Sequence, residues 1–202
     1  NDAALVEYRR YYYALVTELD LAIGSLLDAL EEMNALDDTL IVFTSDHGDM
    51  CGDHRMTHKA PHFYDAVMRV PLIFHWPEGL GGTRRDADQL VELVDVLPTL
   101  LDCCGLHIPA TLNGHSLAGG LTGEPPQEGR QDVFAFDACG AMLRTRYYKY
   151  LRYRSGGEVL FDLQDEDTEV RNVRDDPHYS DILSEHRGRL IDRLLIAGQS
   201  PY

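Results

Sequence analysis

The feature that most constrains this chain is a short apolar run that stops abruptly. Leu40-Ile41-Val42-Phe43-Thr44 is unbroken, rich in β-branched residues, and preceded by a turn of Asn and Asp residues over 34–39. A run of this length and composition reads as a strand buried on both faces, the pattern of a parallel sheet. Ser45-Asp46-His47-Gly48-Asp49 follows at once. In open α/β sheets, ligand-binding and catalytic groups gather at the carboxyl ends of strands, so this polar break is the first place to look for chemistry.

The flanking segments fit that frame. Upstream, Tyr8, Tyr12, Leu15, Leu19, Ile23, Leu26, Leu27 and Leu30 recur at spacings of three and four, which predicts an amphipathic helix over about 3–33. Downstream, a polar loop rich in His leads to a second strand over 70–76, stopped by Pro77 and a Gly-rich turn. Asp95 reads as the N-cap of a helix with Pro98 in its first turn and Gly105 as its stop. Residues 113–131 are rich in Gly and Pro and mark a boundary. Beyond them the texture changes to short β-like runs over 132–138, 141–145, 147–154 and 158–163, followed by a terminal helix over about 179–197. The predicted class is α/β: the end of a strand–helix sheet domain, then a small antiparallel sheet with one terminal helix.

Charge narrows the function. The chain of 202 residues carries a net charge of −16, from 34 acidic against 18 basic residues. Nucleic acids and anionic membranes recruit clustered Lys and Arg, so neither is an expected partner. An acidic chain that handles an anionic substrate needs a locally positive site from a metal or a placed lysine. No apolar stretch is long enough for a membrane-spanning helix. Cys51, Cys103, Cys104 and Cys139 show no C-x-x-C spacing, which argues against a zinc site or a disulfide framework. The compartment reading leans to the cytoplasm.

Asp46 and His47 leave the strand together, one offering a carboxylate and the other an imidazole, with Gly48 expected to let the backbone turn sharply. At a strand terminus both can converge on one ion. The carboxylate favours a hard divalent cation, and the imidazole widens the choice towards Mn²⁺ or Zn²⁺. Asp49 and Asp53 read as turn and cap residues. Arg69 reads as half of a structural salt bridge, and the tyrosine-rich stretch 147–153 as sheet packing.

Read together, these segments resemble the second half of the sulfatase family, within the alkaline-phosphatase superfamily. The blocks are Thr44-Ser45-Asp46-His47-Gly48-Asp49, Gly52-Asp53-His54, Lys59 and Arg69-Val70-Pro71-Leu72-Ile73, then Leu93 to Asp102, Leu112 to Leu117, Arg144 to Tyr150 and Leu160-Phe161-Asp162-Leu163. The resemblance implies that Asp46 and His47 ligate one divalent metal, usually Ca²⁺ in the family. It implies that Lys59 holds the sulfate and offsets charge on the leaving oxygen. His54 and His58 are candidate pocket residues, with His62 a further loop histidine. Residues 1–120 would be the C-terminal portion of the catalytic α/β domain, and 121–202 the small C-terminal subdomain.

The family's nucleophile is a formylglycine made from the first residue of C/S-x-P-S/A-R, and none of the four cysteines has that setting. The nucleophile and the remaining metal ligands are therefore expected from a missing N-terminal half, which becomes the chain's expected partner alongside a small-molecule or sugar sulfate ester. The chain alone is expected to be inactive. With His rather than Asn beside Asp46, a phosphonate or phosphate ester is an alternative substrate. A non-catalytic sulfatase-like binding module is a further reading.

Overall fold

Residues Asp2–Glu32 form one helix, α1, matching the expected span to within a residue at each end. Its apolar stripe is only half used. Leu5, Tyr8, Tyr12, Ile23, Leu27 and Leu30 are partly buried, whereas Tyr11, Leu15, Leu19 and Leu26 beside them are 54–67% exposed. The structure, a computed structural model, describes residues 2–59, 63–82, 84–123, 129–164 and 169–198; His62 lies outside them. It divides into two compact units, residues 1–84 and 85–202.

In the first unit, β1 (Ile41–Thr44) follows α1 and pairs with β2 (Leu72–His75). The pairing is antiparallel, with Phe43 opposite Ile73 and Thr44 opposite Leu72, and these two strands make up the whole sheet among the described residues. This corrects the expectation of a buried parallel strand. Phe43 and Thr44 are exposed and Ile41 and Val42 only partly covered. A continuous apolar run reports what a strand can bury but carries no information about the direction of its neighbour. Between the strands lie a 3₁₀ turn over Asp53–Arg55 and the one-turn helix α2 (Asp65–Met68); α3 (Pro77–Leu80) follows β2. Met50, Phe63 and Val67 form the buried interior of this unit. Arg69 is exposed and makes no ion pair among the described residues, so the expected salt bridge is not formed.

The second unit begins with α4 (Val96–Cys103) and the short α5 (Ala118–Thr122). Four strands then form an antiparallel meander in chain order: β3 (Val133–Phe136), β4 (Gly140–Arg144), β5 (Tyr148–Tyr153) and β6 (Glu158–Asp162). The final helix α6 (Ser180–Gly198) packs on β4 and β5. Leu143, Tyr150 and Leu160 from the strands meet Val173, Leu183 and Leu190 in the core. The strands lie where the sequence shows short β-like runs between turns, with residues 141–143 and 149–151 buried in succession on both faces, and α6 lies where a terminal helix was expected.

Asp95 is the exception. Its side chain does not cap α4. It is fully buried and accepts hydrogen bonds from the Glu92 and His115 backbone amides, each 2.8 Å, and from the Arg130 guanidinium. Glu92 extends the cluster by accepting from the Phe134 amide (2.7 Å) and pairing with Arg130 and Arg193. Arg189 and Arg193 in turn pair with Asp132. Three acids and three arginines thus tie the segment before α4 to β3 and α6. All of these residues lie within the compact unit that starts at Arg85.

Candidate active-site loop

The loop leaving β1 is held by backbone contacts. Ser45 Oγ donates to His47 O (2.8 Å), and the His47 amide donates to Asp46 Oδ1 (2.9 Å). That amide, reinforced by the nearby imidazole, holds the Asp46 carboxyl below the usual carboxylate range. The Gly48 amide donates to Val67 O (2.8 Å), which pins the loop against α2. The φ of Gly48 is not positive, so left-handed freedom is not what calls for a glycine here. It is needed because a Cβ there would lie 2.1 Å from Ala66 O, closer than any real contact allows.

His47 is oriented from both sides. Its Nδ1 lies 2.9 Å from Gly48 O. A carbonyl oxygen only accepts, so Nδ1 carries the proton and Nε2 presents its lone pair. Lys59 Nζ lies 2.8 Å from that Nε2, and Asp46 Oδ2 lies 3.4 Å from it. Asp46, His47 and Lys59 therefore meet at the end of β1, the place and the grouping expected. The donor set fits a cation: an ammonium already sits on the imidazole lone pair, with a carboxylate alongside. Among the described residues, however, no group of three His, Cys, Asp or Glu side chains gathers as a metal would require. Asp46 and His47 offer two candidate donors, and a complete coordination sphere would need donors from elsewhere.

The other two candidates lie apart from this trio's hydrogen bonds. His54 stacks on Tyr64, with ring centroids 4.1 Å apart, and His58 meets Tyr8 edge-on at 5.8 Å. Both have positive φ, 50° and 67°, so each shapes the loop at a strained backbone position.

Sequence reasoning missed the residues that anchor the far side of the loop. Tyr8 Oη donates to Asp49 Oδ2 (3.0 Å), and the Cys51 amide donates to Asp49 Oδ1 (2.8 Å). Burial raises the Asp49 carboxyl, but the bonds from Cys51 and Tyr8 outweigh it and leave the group below its ordinary value. Arg9 Nε donates to Cys51 O (2.6 Å), and its guanidinium reaches Asp53 (3.6 Å). Burial and the Asp49 hydrogen bond push the Cys51 thiol up to about 11, so it is not a poised nucleophile. No local pattern could have found Tyr8 and Arg9, because both act across more than forty residues of chain.

The fold as a whole defines a class, the α/β sulfatase type. It superposes with a TM-score of 0.79 on the structure of a 2-O GAG sulfatase, at 36% identity, covering 88% of this chain and 40% of that one. The phosphonate monoester hydrolase of Agrobacterium radiobacter gives a TM-score of 0.78 at 30% identity, with 90% of this chain and 40% of that chain covered. The chain belongs to the sulfatase family: the family's sequence model, Sulfatase, matches residues 1–106. Among its relatives is the Delta 4,5-hexuronate-2-O-sulfatase of Bacteroides thetaiotaomicron, 36% identical over 199 residues. That match takes in 92% of this chain but only 41% of the relative, so the chain spans about two-fifths of that relative's length.

Proposed function

We propose that this chain supplies the metal- and sulfate-binding side of a sulfatase that hydrolyses a sulfate monoester on a uronate-containing sugar. The observation that carries the proposal is the meeting of Lys59, His47 and Asp46 at the end of β1, with Lys59 Nζ 2.8 Å from His47 Nε2. Asp46 and His47 would be two ligands of a divalent cation, Ca²⁺ by family resemblance. Such a cation, when bound, supplies positive charge against the non-bridging sulfate oxygens.

The chain's own residues do the rest. The Gly48 carbonyl fixes the imidazole so that Nε2 faces the site. The carboxylate of Asp46 stays ionised through the His47 amide. The Lys59 ammonium is free to turn from the imidazole to a sulfate oxygen and to offset charge growing on the leaving oxygen. The nucleophile, expected to be formylglycine, would come from the part of the sulfatase fold that these residues do not span. The uronate preference rests on likeness to the Bacteroides hexuronate sulfatase. Likeness to a phosphonate monoester hydrolase at 30% identity favours phosphonate esters as a second substrate class.

The test is turnover by a complete polypeptide containing this chain, with a 2-O-sulfated unsaturated uronate disaccharide and a phenyl phosphonate ester as substrates. Sulfate release should dominate, and Lys59→Ala should lower kcat by roughly a hundredfold or more, the usual loss of one charge-stabilising donor. Undiminished turnover by Lys59→Ala, or phosphonate cleavage alone, would sink the assignment. The 202 residues by themselves should show no sulfatase activity and only weak Ca²⁺ binding in calorimetry.

A further inference from the structure

We infer that Tyr8 of α1 is a positioning residue for Lys59. Bonded to Asp49 two residues after His47, and packed on His58 one residue before Lys59, it sets the separation between imidazole and ammonium. The inference rests on reading Lys59 as the amine that receives the sulfate, and adds what aims it.

Lys59 does not aim itself. Its side chain is exposed, and its ammonium hydrogen-bonds only to His47 Nε2, at 2.8 Å, among the described residues. A long flexible amine reaches one place reproducibly only when the backbone that carries it is fixed.

That backbone is strained. Four non-glycine residues between 51 and 58 have positive φ: Cys51 at 46°, His54 at 50°, Arg55 at 61° and His58 at 67°. Left-handed backbone is unfavourable for a residue with a Cβ and persists only where the surroundings over-determine it. Bonds within the loop do part of this. The Gly52 amide donates to Met56 O (2.8 Å) and the Asp53 amide to Met50 O (2.7 Å). They stop short of His58.

Helix α1 supplies the remainder. Tyr8 Oη donates to Asp49 Oδ2 (3.0 Å), and the Tyr8 ring meets the His58 imidazole edge-on at 5.8 Å. Burial and the Asp49 bond raise the Tyr8 hydroxyl above its ordinary value, and the His58 backbone amide opposes them, so that amide bears on the same hydroxyl. Against burial, it also joins the Cys51 amide and Tyr8 in holding the Asp49 carboxyl low. Tyr8 therefore touches both ends of the strained stretch: Asp49 where the chain leaves His47, and His58 where it enters Lys59. Arg9, next on the helix, secures the middle through Cys51 O (2.6 Å) and Asp53 (3.6 Å). A phenylalanine ring would fill the apolar stripe of α1 equally well; the hydroxyl is what the stripe does not ask for.

Lys59 and Lys149 are the only lysines in the chain, so labelling the lysine ε-carbon with 13C gives two signals, with fully buried Lys149 as a rigid internal reference. In the 202-residue chain, Tyr8→Phe should drop the order parameter of the Lys59 ε-methylene below about 0.6, the range of a flexible group, and leave Lys149 unmoved. Asp49→Asn should do the same, and the double variant should go no further, since both remove the same link. Tyr12→Phe, which removes a hydroxyl one turn along α1, should change nothing. In a complete polypeptide containing the chain, Tyr8→Phe should lower kcat roughly tenfold with KM little changed, and should cost nothing more once Lys59 is replaced by alanine. A loss that persists in the Lys59→Ala background would make Tyr8 merely structural and overturn the inference. So would an unchanged Lys59 order parameter in Tyr8→Phe. The two readouts are separable: if Lys59→Ala leaves turnover intact, the sulfate-binding role falls, while the order parameters still decide whether Tyr8 aims Lys59.

Discussion

Replacing Gly48 with alanine tests the construction of the site with a single methyl group. The added Cβ would sit 2.1 Å from Ala66 O and 3.1 Å from Ala66 C, where about 3 Å is the closest tolerable approach. The loop after β1 and the start of α2 must therefore separate by about 1 Å. The atoms being pushed apart are backbone, so no side chain can swing away. They are also tied by the Gly48–Val67 hydrogen bond of 2.8 Å, which the separation breaks. Overpacking of this kind costs about 1–3 kcal/mol and a lost hydrogen bond about 1, so roughly 2–4 kcal/mol in all. For a chain of this size that is on the order of 5–15 °C in Tm.

Asp46 and His47 precede Gly48 directly, so they move with it. A displacement near 1 Å is the scale on which catalytic misplacement costs roughly a hundredfold in rate. Calorimetry of the Gly48→Ala protein, with turnover measured in a complete polypeptide, checks both numbers. Gly24→Ala is the control: it adds the same methyl within α1, meets nothing within 4 Å, and should raise stability by about 0.5–1 kcal/mol. If Gly48→Ala leaves Tm within about 1 °C of wild type, the close approach that explains this glycine is wrong.

Asp95→Asn keeps the shape but removes one of the two carboxylates paired with Arg130, leaving Glu92 at 3.0 Å, and should cost roughly 1–3 kcal/mol by calorimetry. Arg187, aided by the Tyr150 hydroxyl, holds the Glu158 carboxyl at about 2 against an ordinary 4.5. On acidification the unfolded chain takes up that proton first. The stability Glu158 contributes is thus complete above about pH 4.5 and lost as pH falls towards 2, and Glu158→Gln should flatten this part of a Tm-against-pH curve. Finally, with its thiol near 11, Cys51 should react with iodoacetamide at pH 8 roughly a hundredfold more slowly than exposed Cys104 and Cys139, a difference that peptide mapping reads directly and that unfolding should erase.

The sequence by itself determined the elements and the order in which chemistry occurs along them. Spacings of three and four placed α1, short β-like runs between turns placed β3 to β6, and the polar break after Thr44 placed Asp46 and His47 at a strand end. The reason is that these signals are local: each is written in residues that become neighbours through the geometry of one helix or strand. Spacing to Lys59 was legible only through its resemblance to a family, because a lysine in a loop announces nothing about what it faces.

Tertiary structure decided the rest, wherever a residue's role depends on a partner far away in the chain. It paired β1 with β2 antiparallel, since an apolar run does not encode the direction of its neighbour. It turned Asp95 from a helix cap into the buried hub for Arg130, and brought Tyr8 and Arg9 onto the loop at Asp49 and Cys51. It also gave Gly48 its true reason, a carbonyl from α2 that leaves no room for a Cβ. Close packing between distant segments sets all four, and no window of sequence contains both halves of such a contact.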